Sequence, residues 1–317
     1  MVRNCIGLFT TLSALLWIAA NSLSGGVHSL SKGALRVEIE VDTDLHAGAF
    51  GPRFDRTAVV RQVTVDGLDF LGPWGLCDEF GLYGNGVLGY EDAEAGGSFL
   101  KIGVGRLTRD SGSGYHFAHP YPVGEYFAVE TEAAKDFLTV IQRSDPLFPQ
   151  RYAYRKTYAL GEDNSLTIRY RLTNTGEAPW SFEHYNHHWF RLEGADIGPR
   201  YRCRTVFALP EAETGFLRGD HSLRMKEALA PEGAVYYASD LPGAAAEANR
   251  FTIEVDGKPM VDYAGSFAPV RFALYASADG FCPEVFKRAT LGPGESASWS
   301  SIYRFRARHG AADGEVE

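Results

Sequence analysis

The chain has 317 residues, of which 45% are hydrophobic and 22% charged, enough to bury a large core and to exclude both disorder and a small disulfide-stapled fold. A formal net charge of −9 with no basic run along the sequence argues against phosphate backbones and anionic lipid, so neither nucleic acid nor a membrane surface is expected as a partner. The 35 glycines and an aromatic content of 13% favour many short strands joined by tight turns.

At the N-terminus Arg3 precedes an apolar run over 6–20, interrupted by Thr10, Thr11 and Ser13 and followed by small and polar residues. This is the pattern of a secretory signal peptide, too short to span a bilayer comfortably. Residues 1–24 are therefore expected to be a removed signal and 25–317 a single domain, secreted or periplasmic, without membrane attachment after processing. Cys5 would leave with the signal. Cys77, Cys203 and Cys282 are then odd in number and widely spaced, compatible with one disulfide or with three buried thiols.

Residues 35–41 alternate apolar and polar side chains, as a half-buried strand does. The run 59–65 is followed by Asp66-Gly67 and then 68–71, which reads as a hairpin closed by a turn needing positive φ. Further strands are predicted over 125–132, 137–142, 152–160, 166–172, 180–190, 201–207, 251–255, 270–275 and 297–305, roughly a dozen in all. The stretch 210–250, richer in Ala, Glu and Pro, reads as an excursion with one short helical turn. Strands at this spacing without long helices imply an all-β chain, a large antiparallel β-sandwich of two sheets packed face to face.

Several segments could carry chemistry. Tyr185-Asn186-His187-His188-Trp189-Phe190 packs two imidazoles, an amide and three aromatic rings into six residues. On a strand His187 and His188 point to opposite faces, so one of them at most faces a given pocket. His184 and His188 lie four apart, but this segment is a poor helix and no third ligand is apparent, so no metal site is expected. Glu284 stands alone among apolar residues, where burial would raise its carboxyl pKa and make it a competent proton acceptor near neutral pH; taken alone, the short segment favours a hydrogen-bonded structural glutamate. The stretch 101–107 has two glycines but lacks the third glycine and the helix of a dinucleotide loop, and no Gly-x-Ser-x-Gly elbow occurs, which removes nucleotide-dependent and serine-hydrolase readings. No cofactor is implied. Arg106 is a candidate for sugar hydroxyls or a carboxylate, and Glu79, Tyr115, His116, Phe117, His119 and Tyr121 are of the kind that line sugar sites.

In this order the landmarks resemble the galactose mutarotase superfamily, also called aldose 1-epimerase-like. They are Gly103 to Arg106, Asn186-His187 followed by Trp189-Phe190, the Phe281-Cys282-x-Glu284 segment, and Pro293-Gly294-Glu295 leading into a strand. The resemblance spans most of the chain beyond residue 24 and implies the supersandwich form of the β-sandwich. It implies a small sugar or oligosaccharide as ligand, with His187 as general acid, Glu284 as general base and Arg106 as a binding residue. Asn186 and His188 would adjoin the substrate. The family's Leu-His-Gly-Gly stretch is absent; His116 and His119 lie in its region, and Asp220 in that of a substrate-holding Asp. The acid and base are expected to face each other across a gap the width of a pyranose. Elimination or isomerisation in the same pocket, or sugar binding without turnover, are the alternatives.

Overall fold

The structure, a computed structural model, describes residues 25–192, 195–211 and 215–306. The expected signal segment lies outside them. In chain order the strands are β1 (Gly26–Lys32), β2 (Leu35–Val41), β3 (Ala58–Val65), β4 (Leu68–Asp69), β5 (Leu71–Phe80), β6 (Val87–Leu88), β7 (Ser98–Lys101), β8 (Gly105–Thr108), β9 (Val123–Tyr126), β10 (Val129–Ala133), β11 (Phe137–Arg143), β12 (Tyr152–Gly161), β13 (Ser165–Asn174), β14 (Trp180–Phe190), β15 (Tyr201–Thr205), β16 (Phe216–Gly219), β17 (Ser222–Met225), β18 (Ala234–Asp240), β19 (Arg250–Val255), β20 (Lys258–Gly265), β21 (Arg271–Ser277), β22 (Gly280–Leu291) and β23 (Ser296–Phe305).

They form a nine-stranded sheet in the order β1-β2-β3-β5-β14-β22-β21-β18, with β4 beside β3, and a ten-stranded sheet in the order β10-β11-β12-β13-β23-β20-β19-β15-β17-β16. A four-stranded sheet, β6-β7-β8-β9, stands apart. The pairings around the centre of each large sheet are antiparallel. Alternation decides which side of a strand meets the core: β2 buries Leu35, Val37, Ile39 and Val41, and β12 buries Tyr152, Tyr154, Lys156, Tyr158 and Leu160. The two buried faces interlock through aromatic edges, with Phe80 of β5 5.3 Å from Tyr154 and Phe70 5.1 Å from Phe305 of β23. Such pairs add about 0.5–1.5 kcal/mol each beyond area burial.

The turn at Asp66-Gly67 has φ of 50° and 79°, as the hairpin chemistry requires. Three expectations change. The predicted run 125–132 is two strands, β9 and β10, in different sheets. Between them Phe127 turns into the core and its carbonyl accepts from Gln142 Nε2 at 3.2 Å, which breaks the ladder. The third sheet consists of strands of two to four residues, too short for a period of two to register. The excursion 210–250 holds β16, β17 and β18 besides the 3₁₀ turn Ala246–Ala248. Cys77, Cys203 and Cys282 are three buried free thiols.

One polar cluster spans the sheets. Lys156 Nζ on β12 donates to Asp55 Oδ2 (2.9 Å), Asp78 Oδ2 (2.8 Å) and the Ala58 carbonyl (2.8 Å). Asp78 Oδ1 accepts from Tyr170 (2.9 Å), Asn186 (2.5 Å) and His184 (3.0 Å). Burial alone would raise the Asp78 carboxyl; Lys156 and His184 hold it well below its usual range. Gly103, at φ 82°, lies where a Cβ would come within 2.6 Å of the Asp55 carboxylate, so the glycine of the Gly103–Arg106 landmark makes room for this cluster.

Candidate active site

β14 is buried along both faces because it is central in its sheet. Phe182, His184, Asn186, His188 and Phe190 face the ten-stranded sheet, and Tyr185, His187 and Trp189 face outward. Register then assembles a row across the outer face. His187 lies beside Cys77 of β5, and the flanking pairs His184↔Lys287 and Phe190↔Phe281 set it opposite Glu284 of β22. Glu284 is beside Ala273 of β21, itself beside Ala238 of β18. The neighbouring row holds Tyr236, Tyr275 and Cys282 in register, with Trp189 next to them. Small residues therefore continue the row beyond Glu284, with aromatic residues along its side.

His187 Nε2 is 3.2 Å from Glu284 Oε1, and the two residues are 4% and 3% exposed. The imidazole stacks on Trp189 (centroids 4.5 Å, planes 15° apart) and meets the edge of Phe54 at 5.4 Å. Its Nδ1 has no hydrogen-bond partner among the described residues. Burial, helped by the charge of Arg53, drives the His187 imidazole well below its ordinary pKa. Burial likewise drives the Glu284 carboxyl well above its own, against the pull of Arg53 and with an added push from Glu79. Both groups therefore favour their neutral forms.

Arg53 is held over the outer face. Its Nε donates to Glu79 Oε2 at 2.9 Å, and its Nη2 to the Tyr185 hydroxyl at 3.1 Å. Tyr185 donates to the same carboxylate oxygen. The guanidinium lies 4.6 Å and 4.5 Å from the ring centres of Phe54 and Phe117, a cation–π sandwich. Two residues on, Asp55 is anchored in the buried cluster, so a single short segment ties Arg53 to the core. Tyr83 and Tyr236 form an exposed rim at 52% and 47% exposure, and burial raises the pKa of the Tyr236 hydroxyl.

These positions correct several sequence expectations. His187 and Glu284 touch on one face; they are not separated by the width of a sugar ring, because adjacent strands in register place them there. Arg106 is not beside the pair: on β8 of the small sheet it meets Glu125 at 3.0 Å and Asp145 at 3.9 Å, and the arginine whose charge acts on both members is Arg53. His188 does not adjoin the pocket. Its Nδ1 donates to the Pro283 carbonyl and its Nε2 accepts from Tyr303 at 2.8 Å inside the sandwich, where burial lowers its pKa to about 4. Asn186 is likewise a core residue, bonded to Asp78 and to Tyr170 at 2.7 Å. His119 pairs with Asp110 at 2.8 Å, and Asp220 lies 3.9 Å from Arg218 beside β16. His116 comes nearer, stacked at 4.9 Å on Phe117, the ring that covers Arg53. The sequence reading missed Arg53 because Gly51-Pro52-Arg53-Phe54 has no strand period; an arginine between a proline and an aromatic in a loop was the only signal.

No family profile matches the chain, and no curated protein matches it. Among solved structures it is similar to a GalM/aldose epimerase homologue from C. elegans, at 14% identity and a TM-score of 0.58, covering 89% of this chain and 99% of that one. It is similar to a galactose mutarotase-like protein from Lactobacillus casei ATCC 334, at 12% identity and 0.54, covering 89% and 100%. A galactose mutarotase related enzyme from Lactobacillus acidophilus matches at 13% and 0.52, covering 89% and 98%. Likeness at this identity speaks for architecture, and the architecture is that of the sandwich described above: the chain has the galactose mutarotase-like fold.

Proposed function

We propose that the chain is an aldose 1-epimerase-like enzyme in which His187 and Glu284 exchange protons with the anomeric centre of a sugar. The observation that carries this reading is the 3.2 Å approach of two buried titratable groups on the outer face, both driven toward neutrality. A neutral imidazole beside a carboxylic acid is one base and one acid with a single proton between them. Mutarotation needs that pair at short range, because the ring oxygen and the anomeric hydroxyl share one carbon. One group takes the hydroxyl proton while the other protonates the ring oxygen. The bond from ring oxygen to C1 breaks, and C1 becomes a carbonyl. Rotation about C1–C2 followed by the reverse transfers closes the ring on either face and restores both groups.

Burial favours the proton on Glu284 in the resting pair, which makes Glu284 the first donor and His187 the first acceptor. The roles implied by the family resemblance are the opposite, and a proton transfer between the two groups interconverts the assignments. Arg53 would hold a ring hydroxyl over the pair, and Tyr236 and Tyr275 offer rings for the apolar face of the sugar. The apolar run at 6–20 supports export of the enzyme; N-terminal sequencing of protein from the medium or periplasm would test this.

The test of the enzyme is anomer interconversion followed by polarimetry and NMR with several aldoses. Wild type should exceed buffer with at least one sugar, and Glu284→Gln and His187→Asn should each lose about 10²-fold or more. If no sugar interconverts faster than in buffer, the reading is wrong; an unsaturated product would indicate elimination, and binding without product a non-catalytic module.

A further inference from the structure

The outer face of the ten-stranded sheet, on the side of the sandwich opposite His187, carries an arrangement that the linear sequence conceals. Arg155 of β12 lies directly across from Arg171 of β13, and Arg169 is two residues along the same strand. All three are exposed. At strand geometry the cations stand roughly 5 Å and 7 Å apart at the backbone. Like charges directly opposite on neighbouring strands repel. Several other arginines of this face are neutralised: Arg204 meets Glu254 at 2.5 Å, and Arg304 and Arg143 pair with Asp163 and Glu130. Among the described residues none of Arg155, Arg169 and Arg171 has a carboxylate partner; Arg171 reaches Ser296 at 3.4 Å. In a chain of net charge −9, an unneutralised cationic triplet is a local exception.

The triplet lines a recess of about 430 Å³ floored by Tyr170 and Trp299, with hydroxyls beside the cations: Thr157 opposite Arg169, and Ser300 and Ser298 opposite Arg169 and Arg171 on β23. We propose that this recess binds an acidic saccharide, with the three guanidiniums taking carboxylate or sulfate oxygens and the hydroxyls bonding sugar hydroxyls. Guanidinium forks match planar or tetrahedral oxyanions. A nucleic acid is disfavoured because the rings beneath the patch, Tyr170 and Trp299, are 2% and 3% exposed, leaving no platform for bases. The recess also presents no exposed apolar side chain to insert into a bilayer. The proposal is independent of the roles given to His187 and Glu284.

Titration calorimetry of the full chain tests it, using a hexameric oligouronate, a sulfated hexasaccharide, a neutral hexasaccharide, a single-stranded oligonucleotide of equal charge, and phosphatidylserine vesicles. At least one acidic saccharide should bind, more weakly as salt rises, while the neutral one does not. Arg155→Ser/Arg169→Ser/Arg171→Ser should weaken that binding by about tenfold or more, and the triple lysine variant, which keeps the charge, by a smaller factor. Circular dichroism and thermal melting would verify that both variants are folded; an exposed strand face tolerates these changes. Equal affinity in the serine variant, no binding by either acidic saccharide, or binding of the oligonucleotide or vesicles at least as tight, would overturn the proposal.

Discussion

At the residue scale, Glu284 is held in a form that opposes folding at neutral pH. Its carboxyl pKa lies well above the model-peptide value of 4.5 because burial disfavours the anion. Above pH 4.5 the unfolded chain releases this proton while the folded chain keeps it, so stability falls as pH rises from there through the folded-state pKa. One such group changes stability by at most about 1.4 kcal/mol per pH unit. The isosteric Glu284→Gln variant removes the term. Thermal melting of both proteins from about pH 5 to about pH 8 should show the variant gaining on wild type as pH rises. A melting difference that stays constant across that range would mean that Glu284 is ionised in the folded protein, and the neutral pair would be wrong. On the proposed function, this loss of stability is what an active group that must be desolvated imposes.

At the element scale, β14 separates chemistry from architecture by alternation. His188 joins the Pro283 carbonyl of β22 to the Tyr303 hydroxyl of β23, and because Pro283 has no N–H, an ordinary ladder cannot form at that point. His188→Ala leaves two buried polar groups unpaired and a cavity between the sheets, and should cost about 2–4 kcal/mol in urea unfolding. His187→Ala, one residue earlier, removes a ring whose Nδ1 is already without a partner among the described residues and should cost less, while on the proposed function it should also abolish turnover. If the two losses are equal, the division of the strand into two faces has no energetic content. Alternation makes this division legible in the sequence: residues 180–190 read as a strand with its histidines on opposite faces, and that is how it folds. What alternation could not tell is which face is covered by which loop. Arg53 escaped notice for that reason, and motif order alone led to Arg106, whose strand belongs to a separate sheet. The Arg155–Arg169–Arg171 patch was equally invisible, since its members meet only when β12 and β13 pair.

At the scale of the whole molecule, Lys156 is the charge that ties one sheet to the other. It extends from the ten-stranded sheet to Asp78 of the nine-stranded sheet and to Asp55, whose neighbour two residues back is Arg53. The cluster thus links cohesion between layers to the placement of the guanidinium over the outer face. Removing one member of such a cluster leaves opposite charge buried without compensation, whereas removing both partners can be nearly neutral. Lys156→Met alone should therefore destabilise by about 3–5 kcal/mol. Adding Asp78→Asn, which keeps an acceptor for Tyr170 while removing the charge, should recover part of that loss, so that the double variant is more stable than the sum of the singles by well over about 0.5 kcal/mol, the usual limit of additivity. Chemical denaturation of the four proteins closes the cycle. Additive losses would show that Lys156 contributes only packing, and the two sheets would then be held together by their aromatic and aliphatic faces alone.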